Sequence, residues 1–210
     1  HARHGVKWRL RPTLCAIEAL EGALSVRLPD GETRPADTVL IGIGIIPNVE
    51  LAEAAGLAVD DGVLVDASGC TSDPHIYATG DCARCEHPLL SRAVRLEAWQ
   101  HAERHAQAVA ASIVGGTQPY AEVPWAWSDQ YDVNLQVTGA PARWDRTVWR
   151  GDPVSMSATL FQLVDAPDGL RVVGAVSVSR PRDSRAARQM IERNAVVDVT
   201  RLTDCTARLP

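Results

Sequence analysis

Basic excess is missing from this sequence. Its 210 residues carry 21 Lys plus Arg against 26 Asp plus Glu, a formal charge of -5. The nonspecific attraction to phosphate that drives nucleic-acid binding is therefore absent overall, and nucleic acid is not an expected partner. Long apolar runs are missing too. None approaches the roughly 20 residues needed to cross a bilayer, and the opening His1-Ala2-Arg3-His4 has none of the apolar segment of a secretion signal. A cytoplasmic place without membrane contact is expected. A disulfide framework is excluded by cysteines that are odd in number and widely scattered: Cys15, Cys70, Cys82, Cys85 and Cys205. Cys82 and Cys85 have C-x-x-C spacing, which suits a redox disulfide or half of a zinc site. No second C-x-x-C or nearby His pair completes a metal site, so two incidental thiols and no metal are expected.

What is present is enough apolar material, 46% of residues, to bury one large core or two smaller ones. The opening stretch alternates like an antiparallel meander: Leu14 to Leu20, a Glu21-Gly22 turn, Ala23 to Leu28, then Pro29-Asp30-Gly31. Val39 to Gly44 is a short apolar run suited to a strand buried on both faces. Val49 to Ala55 can form a turn or two of helix ended by Gly56. Gly62 to Asp66 and His75 to Thr79 look like strands, the second stopping at Gly80-Asp81. From Glu97 to Ile113 good helix formers predominate, with Ala98, Ala102, Val109 and Ile113 at helical spacing and Gly115-Gly116 as the stop. Strands are then expected at 135–137, 147–149, 159–164 and 171–178, and a last helix over Arg185 to Asn194. Trp8, Trp144 and Trp149 stand in no motif and are assigned to packing.

Four segments carry a family resemblance. Ile41-Gly42-Ile43-Gly44-Ile45-Ile46-Pro47-Asn48, with Ala55-Gly56-Leu57 and Gly62 to Asp66 behind it, looks like the exit from the NAD domain of two-dinucleotide-domain flavoprotein reductases. Thr71-Ser72-Asp73-Pro74-His75-Ile76-Tyr77-Ala78-Thr79-Gly80-Asp81 closely resembles the second FAD fingerprint of the same superfamily. Arg95-Leu96-Glu97-Ala98-Trp99 and Val123-Pro124-Trp125-Ala126-Trp127 resemble the ferredoxin reductases that serve oxygenases and cytochrome P450 systems, within the pyridine nucleotide-disulphide oxidoreductases. The departure is large, since neither G-x-G-x-x-G of that family is present. The resemblance therefore implies only the C-terminal portion of such an enzyme.

From the residues themselves, Gly80-Asp81 is either an ordinary Gly-Asp turn or a place where backbone can approach a ligand closely while a carboxylate accepts hydroxyl hydrogen bonds. The resemblance implies that Asp81 holds the ribityl chain of FAD. A helix opening near Glu97 offers unpaired N–H groups and partial positive charge, or is a plain helix start with an acidic first turn. The resemblance points Glu97, Ala98 and Trp99 at the isoalloxazine ring. Trp125 and Trp127, two apart on a strand, share a face; by analogy Trp127 neighbours the flavin, though core or interface packing explains both equally well. Gly42 and Gly44 would let the nicotinamide dinucleotide lie against backbone, or simply make a tight bend. Arg180, Arg182, Arg185, Arg188 and Arg193 are a solvated helix face or a patch for an acidic ferredoxin.

The expected architecture is α/β and α+β. It comprises remnants of a two-dinucleotide-binding-domain flavoprotein fold and a C-terminal α+β reductase domain with an antiparallel sheet. The boundaries are 1–48 for the NAD(P) part, 49–115 for the second FAD segment and 116–210 for the reductase domain. The implied parent passes electrons from NAD(P)H through FAD to an iron-sulfur ferredoxin, with no catalytic residue assigned here and a homodimer left open. The alternative is an interaction or dimerisation module without bound cofactor.

Overall fold

The computed structural model describes residues 1–10, 16–20 and 23–210. Cys15 and the turn expected at Glu21-Gly22 lie outside them. The chain divides into two compact units, His1–Ile45 and Ile46–Pro210.

In the first unit, β1 (Ala16–Leu20), β2 (Ala23–Arg27) and β3 (Thr33–Ala36) form the antiparallel meander expected from the alternation. The β2–β3 turn closes through Gly31 N–H to Leu28 O at 3.0 Å and Leu28 N–H to Glu32 O at 2.9 Å. Arg27 on β2 pairs with Glu18 across to β1 at 2.8 Å.

The expected strand at 39–44 does not form. Those residues carry no strand, and Leu40 (95%) and Ile43 (91%) are almost fully exposed. A strand buried on both faces needs hydrogen-bonding neighbours and covering layers, and no described strand pairs with this run.

The second unit opens with α1 (Glu50–Ala54), one turn and a half ended by Gly56, as its helix formers and following glycine require. A three-stranded sheet follows, built from β4 (Val63–Val65), β5 (Ala83–His87) and β6 (Arg92–Val94). β4 and β5 run parallel in the register Val63↔Ala83, and β5 and β6 antiparallel in the register Cys85↔Val94. Val63, Val65, Ala83, Cys85 and Val94 make its core.

His75 to Thr79 is not the strand expected. Only Tyr77 bridges, to Cys70, and Asp66 ties the turn leading to Cys70 by accepting from Ser68 and Cys70 N–H at 2.8 and 3.0 Å. Thr71 N–H to Ile76 O and Ala78 N–H to Gly69 O are the two hydrogen bonds of that bridge, and Ile76 N–H turns back to Asp73 O, so the pairing stops at one bridge instead of extending into a strand.

α2 (Trp99–Ile113) is the long helix anticipated. Its buried face is His101, His105 and Val109 rather than the expected alanine and isoleucine positions, and Ile113 is 57% exposed.

Beyond it, β7 (Trp125–Gln130), β8 (Val133–Thr138), β9 (Arg146–Asp152), β10 (Ser157–Ala166) and β11 (Gly169–Val178) form an antiparallel sheet in the order β7-β8-β11-β10-β9, with β12 (Val196–Val197) added to β11. α3 (Pro181–Glu192) packs on that sheet and α4 (Val199–Thr203) follows. The core between them is Phe161, Leu163, Val172, Ala175, Ala186, Ala187, Met190 and Leu202.

α3 starts four residues earlier than expected. Pro181 at its first position lacks only an N–H that would be unpaired there and is pre-set for helix. Trp8, Trp144 and Trp149 are not core residues, at 56%, 47% and 50% exposed. No helix among the described residues is long and apolar enough to cross a membrane.

Candidate cofactor site

Gly80, Asp81 and Cys82 form a single 3-10 turn between the Tyr77 bridge and β5. Gly80 has φ +74, a conformation that costs an L side chain about 1–2 kcal/mol. A Cβ built there would lie 3.6 Å from the methyl of Ala102, so the turn abuts α2 closely. The backbone seals that contact: Gly80 N–H donates to His105 Nδ1 at 3.3 Å. Asp81 itself is exposed, with its carboxylate free to meet a ligand.

Arg95 joins the two sides from beneath. Its side chain is only 9% exposed, and its guanidinium donates to Asp81 O at 3.4 Å, to Glu97 Oε1 at 2.7 Å and to Asp61 Oδ1 at 3.1 Å. Glu97 is thus occupied by an ion pair and precedes the helix, instead of lying in its first turn. The extended residue Ala98 is the N-cap, and no side chain caps α2. The N–H groups of that first turn keep the partial positive charge of a 15-residue helix available.

The third side is aromatic. Trp99, 70% exposed, stands edge-to-face with Trp127 at 6.3 Å, and Trp127, 44% exposed, stacks on Trp125 at 4.9 Å. Trp125 and Trp127 share a face of β7, and Trp125 Nε1–H is anchored to Gln136 Oε1 on β8 at 3.2 Å. Two buried acceptors on residues next to these elements have no protein partner, Thr79 Oγ1 just before the Gly80 turn and Gln100 Oε1, whose residue lines a small cleft with Trp125 and Gln136. Gly80, Asp81, Glu97, Ala98, Trp99 and Trp127 all lie in the second unit. Gly42 and Gly44 lie in the first, and both are exposed, with nothing within 4 Å of where a Cβ would stand.

Beneath Gly80 lies a patch that sequence reasoning missed. His101 and His105 are 5.0 Å apart, Tyr120 lies 5.1 and 5.0 Å from them, and His87 stands edge-on to Tyr120 at 5.6 Å. His101 Nδ1 and Tyr120 OH share a 3.0 Å hydrogen bond, and His87 Nε2–H donates to Glu122 O at 3.0 Å. Burial pushes His101 and His105 down to about 4, with the neighbouring imidazoles adding to it. The i, i+4, i+8 spacing of His101, His105 and Val109 was the available signal.

Both C-x-x-C cysteines are free thiols. Cys85 is buried in β5, where desolvation raises its thiol pKa, and Cys82 Sγ contacts Thr79 O at 3.5 Å. No cluster of three or more metal-ligating side chains occurs among the described residues. Of the arginine run, Arg180 pairs with Asp183, and Arg188 with Glu122 and Glu192. Arg182 and Arg185 line a cleft of about 970 Å³ together with Arg150 and Arg208, sharing no residue with the Asp81–Trp127 group.

Comparison with known proteins decides the lineage. The family "Pyridine nucleotide-disulphide oxidoreductase" matches residues 1–106, and "Reductase C-terminal" matches residues 125–210. The chain belongs to the pyridine nucleotide-disulphide oxidoreductase family. Within that family, it is 44% identical to the anthranilate 1,2-dioxygenase system ferredoxin–NAD(+) reductase component of Burkholderia cepacia, over 100% of this chain and 51% of the relative. Among solved structures it resembles the ferredoxin reductase for the CYP199A2 system from Rhodopseudomonas palustris, with TM-score 0.90, 36% identity, and coverage of 99% of this chain and 51% of that one. It also resembles the covalent putidaredoxin reductase–putidaredoxin complex, with TM-score 0.88, 35% identity, and coverage of 97% and 48%. This pyridine nucleotide-disulphide oxidoreductase chain thus spans about half the length of the relatives it matches.

Proposed function

We propose that this chain supplies one wall of the FAD site, and the reductase domain behind it, in an NAD(P)H-dependent ferredoxin reductase of the cytoplasm. The observation that carries the reading is the convergence of an exposed carboxylate at Asp81, an uncapped helix start at Ala98–Trp99 and an exposed Trp99–Trp127 corner on one side of the second unit. The unpartnered Thr79 Oγ1, two residues before Asp81, fits a polar ligand there.

In this reading Asp81 accepts hydrogen bonds from ribityl hydroxyls, and the tight Gly80 turn lets the ligand approach backbone. The N–H groups at the start of α2 face the pole of the ring where negative charge gathers, and Trp99 and Trp127 exclude water from its edge. Bound FAD would supply hydride acceptance from NAD(P)H and single-electron release, with the protein orienting and tuning it. Gly42 and Gly44 are assigned to the nicotinamide dinucleotide, and the working boundaries are 1–48, 49–115 and 116–210. An iron-sulfur ferredoxin is the proposed acceptor, supported by the names of the relatives.

FAD is expected to bind this chain alone weakly, because it contains no G-x-G-x-x-G loop for the pyrophosphate. The test is quenching of Trp99 and Trp127 emission as FAD is added. Weak, saturable quenching that falls about tenfold or more in affinity in Asp81→Ala supports the site. Quenching indifferent to Asp81→Ala overturns it, and a bright yellow protein with near-stoichiometric FAD overturns the expected weakness. Sedimentation with and without FAD separates the alternative, a dimer that ignores the cofactor.

A further inference from the structure

His105 lies at 0% exposure in the second turn of α2, and its Nδ1 accepts the N–H of Gly80, the residue just before Asp81. An acceptor at Nδ1 places the ring proton on Nε2, which has no partner in the buried patch. We propose that neutral His105 is a positioning residue that clamps the Gly80–Asp81 turn onto α2, so that Asp81 and the start of α2 face one ligand, and that its protonation opens the clamp. The proposal rests on the cofactor reading for its purpose, and on the hydrogen bond for its existence.

Every neighbour points the same way. From α2 itself His101 lies 5.0 Å away; from the loop before β7 Tyr120 lies 5.0 Å away. From β5 comes His87, with Cys85 acting on Tyr120, and from the 3-10 turn comes the backbone of Gly80, with Asp81 exposed to solvent. Tyr120 is the group that feels Glu122 and Arg188. Among these neighbours no buried carboxylate is in place to balance an imidazolium, and burial with His87 holds the His105 pKa down to about 4. A second ring proton would set Nδ1–H against Gly80 N–H, turning that hydrogen bond between α2 and the turn into a clash of donors.

The experiment measures hydrogen exchange of the Gly80 amide in the whole chain by NMR, corrected for intrinsic pH effects. At pH 7, His105→Leu should raise Gly80 exchange about tenfold or more. His105→Asn, whose carboxamide oxygen can take the Nδ1 position and cannot be protonated near neutral pH, should restore protection. Acidification toward about pH 4 should release Gly80 in the parent and leave His105→Asn protected, an arm that stands even if the leucine variant fails to fold. Gly80 exchange unchanged in His105→Leu, or equally fast in both variants, overturns the clamp. FAD affinity should fall about tenfold in His105→Leu and stay within about twofold in His105→Asn. If Gly80 is released as expected while FAD quenching ignores Asp81→Ala, the cofactor reading fails and the clamp stands.

Discussion

Two apolar stretches of this chain, 39–46 and 158–164, look alike as strings and fare oppositely. In the second, Ala158, Phe161 and Leu163 are sealed at 0% exposure. β10 is paired on both edges, Leu160↔Val176 to β11 and Leu160↔Trp149 to β9, and α3 covers one face with Ala186, Ala187 and Met190. In the first, Leu40, Ile43 and Ile46 are at least 90% exposed and no described strand pairs with them. Hydrophobicity supplies the drive to bury, about 25 cal/mol per Å², but partners decide whether burial happens.

The sharpest way to test that contrast is Phe161→Ala, which deletes a fully buried ring. Loss of about 3–5 kcal/mol is expected, read as a lower denaturant midpoint of the second unit. A loss under about 1 kcal/mol would mean the β10 core is far less closely packed than its burial indicates.

A smaller effect separates the polar patch from that apolar core. His101 and His105 have folded-state pKa values near 4, below the ordinary histidine value of 6.5, so the unfolded chain takes up more protons between those limits. Stability contributed by keeping them neutral is full above about pH 6.5 and is lost as pH falls toward 4. A midpoint unchanged between about pH 7 and 4.5 would contradict it. His101→Gln with His105→Asn should flatten the dependence.

The smallest effect should come from the exposed stretch. Leu40→Ser with Ile43→Ser should change the chain's stability by no more than about 0.5 kcal/mol, yet reduce binding of an apolar dye, since large exposed apolar patches attract such ligands. A loss comparable with that of Phe161→Ala would show that the stretch is covered in solution.

Local pattern made much of the fold legible. The meander, α1, α2 and β8 to β11 follow from alternation, helix formers and glycine stops, because those signals act over a few residues. β5 was hidden because Ala83-Arg84-Cys85-Glu86-His87 contains no classic strand former, although Ala83, Cys85 and His87 do alternate inward. His75 to Thr79 misled in the other direction: its composition suits a strand, but its pairing stops at a single bridge to Cys70 and Ile76 N–H turns back to Asp73 O.

The candidate site divides the same way. Asp81, Glu97, Ala98, Trp99 and Trp127 were recognisable in the sequence because each stands in a contiguous motif. Arg95 as the link from Glu97 to Asp61 and Asp81, and His105 as the acceptor for Gly80, were not, because Asp61, Asp81 and Gly80 lie 14 to 34 residues along the chain from the side chains that meet them.

By itself the sequence determined the lineage, the long helix, the antiparallel C-terminal sheet and the absence of any glycine-rich phosphate loop, all of which are properties of order and spacing along the chain. Only the tertiary structure decided which apolar run is buried, that Trp99 meets Trp127, and that a neutral histidine joins α2 to the Gly80 turn. Burial and hydrogen bonding depend on which distant groups arrive at the same place, and no local pattern carries that information.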